Sequence, residues 1–457
     1  MERRERQNLN RTQPPRPERS VGESGNQRTN KLSSWVRIGL RANKEGETYN
    51  NLFSHINAEN LRQAYQALDG SKAVGIDNIS KDNYRRDLEN NLQTLLKKLH
   101  SGTYRPRPKR EVLIPKANGK TRPIAIACFE DKLVEWVLSK ILETIYEPIF
   151  IKTSFGFRPK KSAHDAVESS YNTLKDNKRS YVVEIDLANF FNTVPHRKLI
   201  KLLQIRISDE RLLGLIARLL KAEIMREVGP VMAETGTPQG SVVSPILANI
   251  YLHYVLDTWF LENYGSKEAV IVRYADDAVF MFSSEAKATE FMAELRARFD
   301  KFGLSINEDK TGIINFRKGQ ERVFHFLGFT FYWNHRKGWN KCKLVVKTQV
   351  DKLNKKIKEY EAWLKLNRAR HTTKEIWKIT AAKLRGHYNY YGYYCNRPKL
   401  SHFYDGIISA MYKWLNRRSQ RKSFNWKKFK AKLKKDPLPL PPRTQLLRHL
   451  GWSPYVK

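Results

Sequence analysis

Two strongly apolar runs in this chain each carry carboxylates where a folded protein seldom tolerates them. Tyr181-Val-Val-Glu-Ile185 reads as a buried strand that ends at Asp186. Ile271-Val-Arg-Tyr274-Ala-Asp-Asp277-Ala-Val-Phe-Met-Phe282 reads as a strand, a tight turn and a returning strand, with Asp276 and Asp277 in the turn. Charge in such surroundings is costly unless a metal ion or another partner compensates it. An Asp-Asp turn alone would pass for a solvated hairpin tip. Its occurrence together with Asp186, in this order, favours three acidic groups on adjacent strand ends.

That arrangement suits one chemistry in particular. When a 3′ hydroxyl attacks an α-phosphate, two Mg²⁺ ions can stabilise the attacking and leaving oxygens together. Mg²⁺ takes hard oxygen ligands and few carboxylates, and substrate phosphates complete its octahedron. The net charge points the same way. The 457 residues include 84 Lys plus Arg against 46 Asp plus Glu, a formal charge of +38. A surface that basic favours a polyanion, because each neutralised phosphate releases counterions. An anionic membrane is the weaker alternative, since the most apolar stretch, Val242 to Leu261, is broken by Ser244, Pro245, Asn249, His253 and Asp257 and reads as a buried helix.

The three cysteines, Cys128, Cys342 and Cys395, form no C-x-x-C pair. This argues against a disulfide framework or structural zinc and fits a reducing compartment such as a bacterial cytoplasm. The arginine-rich residues 1–30 have no apolar core of a secretory signal.

The chain divides by composition. The stretch up to about residue 33 lacks the aliphatics needed to offset ordering entropy, and a disordered basic tail is expected over residues 1–48. Apolar spacing predicts helices around Leu61–Leu68, Leu88–Leu99, Leu133–Tyr146, His164–Leu174 and Ala286–Phe302. Asn118-Gly119 marks a hairpin between two apolar runs. Beyond Phe331 the composition shifts to Lys, Trp and Tyr. Val350, Leu353, Ile357, Tyr360 and Leu364 share one helical face, Thr372-x-x-Glu375 is a capping box, and Phe403, Ile407, Met411 and Leu415 outline a further helix. A first domain is expected over 49–335, a helical one over 336–436, and a Pro-rich tail over 437–457.

Several motifs in order give a family resemblance. Tyr274-Ala-Asp-Asp277 resembles the Y-x-D-D box of reverse transcriptases, and Asp186-Leu-Ala-Asn-Phe-Phe191 their first Asp motif. Between them Gly236-Thr-Pro-Gln-Gly-Ser241 resembles the P-Q-G segment. Asn307-Glu-Asp-Lys310-Thr and Phe326-Leu-Gly-Phe329 resemble the later Lys and primer-grip motifs. Gly75-Ile-Asp77, Pro115-Lys-x-x-Gly-x-x-Arg-Pro123, Ser154-Phe-Gly-Phe-Arg-Pro159 and Gly386-His-Tyr-Asn-Tyr-Tyr391 narrow the resemblance to group II intron-encoded reverse transcriptases and maturases. The nuclease domain with paired Cys that many relatives carry has no counterpart in these motifs, so target-strand cutting is not expected.

The resemblance implies an α/β fold: right-hand polymerase fingers and palm, the palm an antiparallel sheet with helices, followed by an α-helical thumb/maturase domain. It implies two Mg²⁺ ions, with Mn²⁺ as a substitute, held by Asp186, Asp276, Asp277 and the backbone carbonyl of Leu187. Lys116 and Arg122 would reach the triphosphate, Phe191 would exclude a 2′ hydroxyl, Gln239 and Gly240 would support the nucleotide, and Lys310 would donate to the leaving pyrophosphate. Arg158, Arg385, His387 and Tyr388 are candidate RNA contacts. The implied partners are an RNA template, in particular structured intron RNA, a DNA primer or target, and dNTPs. The activity implied is RNA-directed DNA synthesis with intron splicing and retrohoming. Two rivals share these motifs: a bacterial defence or repair reverse transcriptase without an intron, and a splicing cofactor with a silent polymerase, which the intact aspartates disfavour. An RNA-directed RNA polymerase is disfavoured by Phe191.

Overall fold

The computed structural model describes residues 34–42, 46–115, 121–226, 229–232, 234–265, 268–334, 343–418 and 425–442. Lys116, the Asn118-Gly119 turn, Cys342 and most of both tails lie outside the described residues. The described chain is mixed helix and strand. Its strands are β1 (Lys109–Pro115), β2 (Thr121–Ile126), β3 (Tyr181–Asp186), β4 (Ile224–Arg226), β5 (Gly229–Val231), β6 (Ala269–Tyr274), β7 (Asp277–Phe282), β8 (Gly312–Asn315), β9 (Val323–Phe326), β10 (Phe329–Asn334) and β11 (Lys343–Thr348).

The central sheet runs β6-β7-β3-β8 and is antiparallel throughout. Side chains alternate across a strand, and here both faces are covered, which is why β3 and β7 read as unbroken apolar runs. Val183, Ile185, Phe280 and Phe282 enter a core shared with the helices Phe129–Tyr146, Ser244–Leu252 and Glu285–Phe302. Val182, Val279 and Met281 enter a second core shared with the helix Ala163–Leu174 and the rear of the molecule. Phe291 anchors the first face, with its ring 4.5 Å from Phe280 and 5.1 Å from Phe282. A second sheet, β2-β1-β4-β5, is antiparallel except where β1 meets β4.

The third sheet, β11-β10-β9, carries the chain into the rear helices Val350–Asn367, Thr373–Tyr391, Arg397–Leu415 and Trp426–Lys435. The Thr372–Glu375 capping box forms. A sheet spans the boundary expected at 335/336. β10 and β11 pair along six residues, from Phe329↔Thr348 to Asn334↔Lys343, so the sheet straddles it, and one hydrophobic core continues from Val182 to Phe429. Strand pairing joins residues that composition separates.

Both expected tails are shorter than composition indicated. Ser34–Ala42 is a helix that buries Ile38 and Ala42 and sets Trp35 edge-on to Trp136 at 6.3 Å. Within 437–442, Leu438 is buried, and Tyr388 Oη donates to the Pro439 carbonyl at 3.2 Å. Among the described residues no helix is long and apolar enough to cross a membrane. The Val242–Leu261 stretch is a helix from Ser244, interrupted by a π-helical turn at His253–Asp257 and resumed over Thr258–Tyr264.

Candidate active site

The register of the central sheet assembles the acidic groups. β3 and β7 pair so that Asp186 lies directly opposite Asp277, and Tyr274 pairs with Asp277 across the β6–β7 hairpin. The hairpin loop is therefore Ala275-Asp276. Ala275 takes a φ of 57°, the positive value that two-residue hairpins demand at their first loop position. Asp276 is thus raised off the end of the sheet beside the other two.

The three carboxylates repel one another. Burial first, then the charges of Asp276 and Asp186, pushes the Asp277 carboxyl up to about 6, against the pull of Lys352 and Lys310. Asp277 opens to solvent at the mouth of the cleft, so enclosure by the cleft walls rather than lack of water is the desolvating influence. Asp276 is raised too, chiefly by burial and also by Asp186, while Arg122 and Arg273 hold it down. Arg122, at the tip of β2, therefore acts on Asp276 from across the cleft.

Asp186 is already engaged. Its Oδ2 accepts from Lys310 Nζ at 2.8 Å and from Asn307 Nδ2 at 3.0 Å, and its carbonyl accepts from Asn307 N at 2.8 Å. Leu187 bridges to Ile306, which fixes the chain just after the acid. As the side chains stand, no group of three or more His, Cys, Asp or Glu among the described residues is arranged to hold a metal ion. The donor set nevertheless fits a hard cation: acidic oxygens held together against their repulsion, with a displaceable ammonium on one of them.

The wall that carries the expected nucleotide contacts is held by backbone bonds. Phe190 is buried, whereas Phe191 is half-buried, its ring 5.4 Å from Phe190. The Phe191 carbonyl accepts from Thr237 N at 2.6 Å, and Gly236 N donates to the Val194 carbonyl at 2.8 Å. Gly236, with φ 93°, leaves no room for a Cβ beside Asn192. Three residues on, the Gln239 carbonyl accepts from Ala125 N in β2 at 2.7 Å, and a Cβ on Gly240 would lie 2.7 Å from Ile124. Phe191, Gln239, Gly240 and Arg122 are thereby drawn to one wall. Gln239 and Gly240 form a turn, and the following helix begins at Ser244.

On the other side lies a cavity of about 480 Å³, lined by Asp186, Asp277, Lys310, Gly328, Gln349 and Lys352 among others. The β9–β10 turn, Leu327-Gly328, has φ of 50° and 83°. Tyr390 Oη donates to the Leu327 carbonyl at 2.9 Å, and Gln349 N donates to the Gly328 carbonyl at 3.0 Å. The Gly386–Tyr391 motif thus secures the rim of the cavity, a role that spacing alone did not reveal. Asn307, Gln349 and Lys352 were also missed. Asn307 had a signal, standing three residues before Lys310, but Lys352 sits on a helix far along the chain.

The structure places the four expected RNA contacts in different surroundings. Arg158 is turned inward, donating to the Glu147 carboxylate and to the carbonyls of Ile151 and Ser154. Its guanidinium is spent on closing its own loop. His387 is buried, stacked on Phe403 at 3.7 Å, and Tyr388 is buried. Helical spacing puts them on the inner face, where His387 also lines a cavity with Lys356 and Lys383. Arg385 is exposed.

Comparison with known proteins agrees with this geometry. The family described as reverse transcriptase (RNA-dependent DNA polymerase) matches residues 114–331. Protein YkfC of Escherichia coli (strain K12) is 36% identical over 293 residues, covering 57% of this chain and 76% of that protein. The group II intron-encoded protein LtrA of Lactococcus lactis subsp. cremoris is 29% identical over 430 residues, covering 74% of this chain and 70% of that protein. The mitochondrial nuclear intron maturase 1 of Arabidopsis thaliana is 30% identical over 129 residues, covering 27% of this chain and 18% of that protein. Arg122, the three aspartates and the Leu327-Gly328 turn all lie within the matched span, and the chain belongs to the reverse transcriptases, RNA-directed DNA polymerases, of the group II intron-encoded type.

Proposed function

We propose that the chain copies RNA into DNA by nucleotidyl transfer assisted by two Mg²⁺ ions, with Mn²⁺ able to replace them. The observation that carries this reading is the register Asp186↔Asp277, with Asp276 in the adjoining turn. Asp186, Asp276 and the Leu187 carbonyl would hold the metal, and Asp277 would help to orient or neutralise the pair. The metal, when bound, supplies charge stabilisation at the reacting phosphate and lowers the pKa of the attacking hydroxyl.

The remaining work falls to the chain's own residues. Arg122 and Lys116, which flank the Asn118-Gly119 pair in the sequence, bind the triphosphate by charge-assisted hydrogen bonds. Lys310 leaves Asp186 and donates a proton to the departing pyrophosphate. Gln239 and Gly240 support the base and sugar. The Phe191 ring stands where a 2′ hydroxyl would project and so admits deoxynucleotides. The Leu327-Gly328 turn presents the primer terminus to the carboxylates. In this reading the β2-β1-β4-β5 sheet is the fingers, the central sheet the palm, and the helices from Val350 to Lys435 the thumb.

The same rear surface, rich in Lys and Arg, is proposed to grip structured intron RNA and promote its splicing, and DNA synthesis primed at a target would complete retrohoming. The relatives named as intron-encoded protein and intron maturase support this.

Primer extension on an RNA template with dNTPs and Mg²⁺ tests the reading, beside Asp276→Ala and an NTP-only control. Extension abolished in the variant is the expected result. Absence of extension by folded, RNA-binding protein would discard the polymerase. Addition of the chain to a self-splicing group II precursor tests the second activity.

A further inference from the structure

The Ser154–Pro159 motif and the charged residue near the end of β6 have no role in the scheme above. Arg273 is fully buried in a strand of otherwise apolar residues. Its Nε and Nη2 donate to the two oxygens of Asp257, at 2.7 and 2.5 Å, and Asp257 is equally buried. Asp257 is the last residue of the π-helical turn. Such turns recur at functional sites because the extra residue re-aims a side chain within a helix.

The remaining donor of the guanidinium is directed at the acidic hairpin. Arg273 Nη1 donates to the carbonyl of Ala275 and to Asn249 Oδ1, each at 3.0 Å. Asn249 in turn donates through Nδ2 to the Gly156 carbonyl at 2.7 Å. The Ser154–Pro159 loop is laid along β6 by two backbone bonds, Phe155 N to the Arg273 carbonyl and Arg273 N to the Thr153 carbonyl. Gly156 abuts the turn so closely that a Cβ there would fall 2.2 Å from Ala275 N. The left-handed residue that lifts Asp276 is therefore held at its carbonyl by Arg273 and backed at its nitrogen by Gly156.

We propose that Asp257, Arg273, Asn249 and Gly156 are positioning residues for the reaction: they lock the Ala275-Asp276 loop so that the two turn carboxylates are set before any cation arrives. A buried ion pair is a poor device for stability alone, since apolar residues of similar size often serve as well. A rigid fork with donors in fixed directions is a good device for defining a loop. The inference rests on the reading of Asp276 and Asp277 as the reacting-site carboxylates.

The test uses the full chain bound to primer and RNA template. Arg273→Met combined with Asp257→Leu removes both charges while keeping volume. Gly156→Ala disturbs the same loop from the opposite side without altering charge. Thermal melting reports folding, electron paramagnetic resonance of free Mn²⁺ reports metal binding, and single-turnover incorporation separates kcat from the KM for dNTP. The expected result is a folded double variant that still binds primer-template, binds Mn²⁺ about ten-fold more weakly, and loses about 10²-fold in kcat with little change in KM, the size of loss that a misplacement near 1 Å brings. Gly156→Ala should move the same two quantities in the same direction. Wild-type Mn²⁺ affinity and kcat in either folded variant would overturn the proposal. Asp276→Ala is the control for the underlying reading: if that variant keeps wild-type Mn²⁺ binding, the carboxylate assignment itself fails, whatever the network does.

Discussion

Lys310 Nζ sits 2.8 Å from Asp186 Oδ2, so the chain's own ammonium neutralises one of the carboxylates proposed to hold metal. The lysine side chain is 65% exposed. An ion pair that open is worth about 0–1 kcal/mol, weak enough for a divalent cation to displace.

Lys310→Met should therefore have opposed effects. Mn²⁺ binding to the free protein should tighten by no more than about five-fold, the equivalent of that weak pair. Single-turnover incorporation should slow by roughly 10²-fold if the freed ammonium serves as proton donor. A Mn²⁺ titration and a rapid-quench assay on one preparation check both. Unchanged incorporation would remove Lys310 from the chemistry.

The raised carboxyl of Asp277 has a consequence for stability. Its folded pKa, about 6, exceeds the ordinary 3.8. The folded state therefore holds the proton more tightly than the unfolded state. Stability from this group is fully present below pH 3.8 and is lost as pH rises through 6. Asp277→Asn should raise the melting temperature of metal-free protein at pH 8, by roughly 1–3 °C, with no gain at pH 3.5. It should also abolish extension. Metal affinity of the native chain should climb between pH 5 and 7 as the carboxyl ionises.

Phe191→Ala should relax sugar selection. Opening the half-buried ring position admits a 2′ hydroxyl, and discrimination of dNTP over NTP should fall by about 10²-fold, the scale of a steric exclusion in an apolar pocket. Competition assays with labelled nucleotides measure the ratio. Phe190→Ala, in contrast, should chiefly lower stability, by about 3–5 kcal/mol, because that ring is core.

Gly328 and Tyr391 should be coupled. A Cβ on Gly328 would lie 2.8 Å from Tyr391 Oη, and its φ of 83° disfavours any side chain. Gly328→Ala should weaken primer extension, and Tyr391→Phe, by removing the hydroxyl, should restore part of it. The backbone strain, about 1–2 kcal/mol, would remain. A double-mutant cycle on extension rate with a coupling of zero would show that the contact does not shape the turn.

His387 should be silent in RNA binding. Burial drives its pKa down to about 3, and neither ring nitrogen has a hydrogen-bond partner among the described residues. The unfolded chain protonates first, so stability from this residue is present above pH 6.5 and is lost as pH falls towards 3. His387→Phe should leave RNA affinity within about two-fold, keep or raise stability, and flatten that acid loss. Arg385→Ala should weaken RNA binding and reduce the salt slope by about one. A salt titration of RNA affinity on both variants distinguishes them.

The chemistry-bearing strands were legible because a charge at the end of an apolar run is expensive and period-two patterns are local. Asp186, Asp276 and Asp277 were readable on that ground, as were the hairpin between them and the Thr372 cap. Side chains whose meaning depends on what lies across a core were not. Arg158 looked like an outward cation and is an internal clasp. Arg273, given no role by the sequence pattern, is the hub of the network behind the acidic loop.

Local pattern thus determined which residues form strands and turns, and which few of them carry uncompensated charge, because backbone preference and burial cost act over a few neighbours. Only the tertiary structure decided that Asp186 faces Asp277, that Tyr390 holds the turn at Leu327, and that a π turn aims Asp257 at Arg273. These are contacts between segments as many as 91 residues apart, as from Asp186 to Asp277, and strand register and helix docking are set by the fit of whole faces rather than by any stretch of sequence.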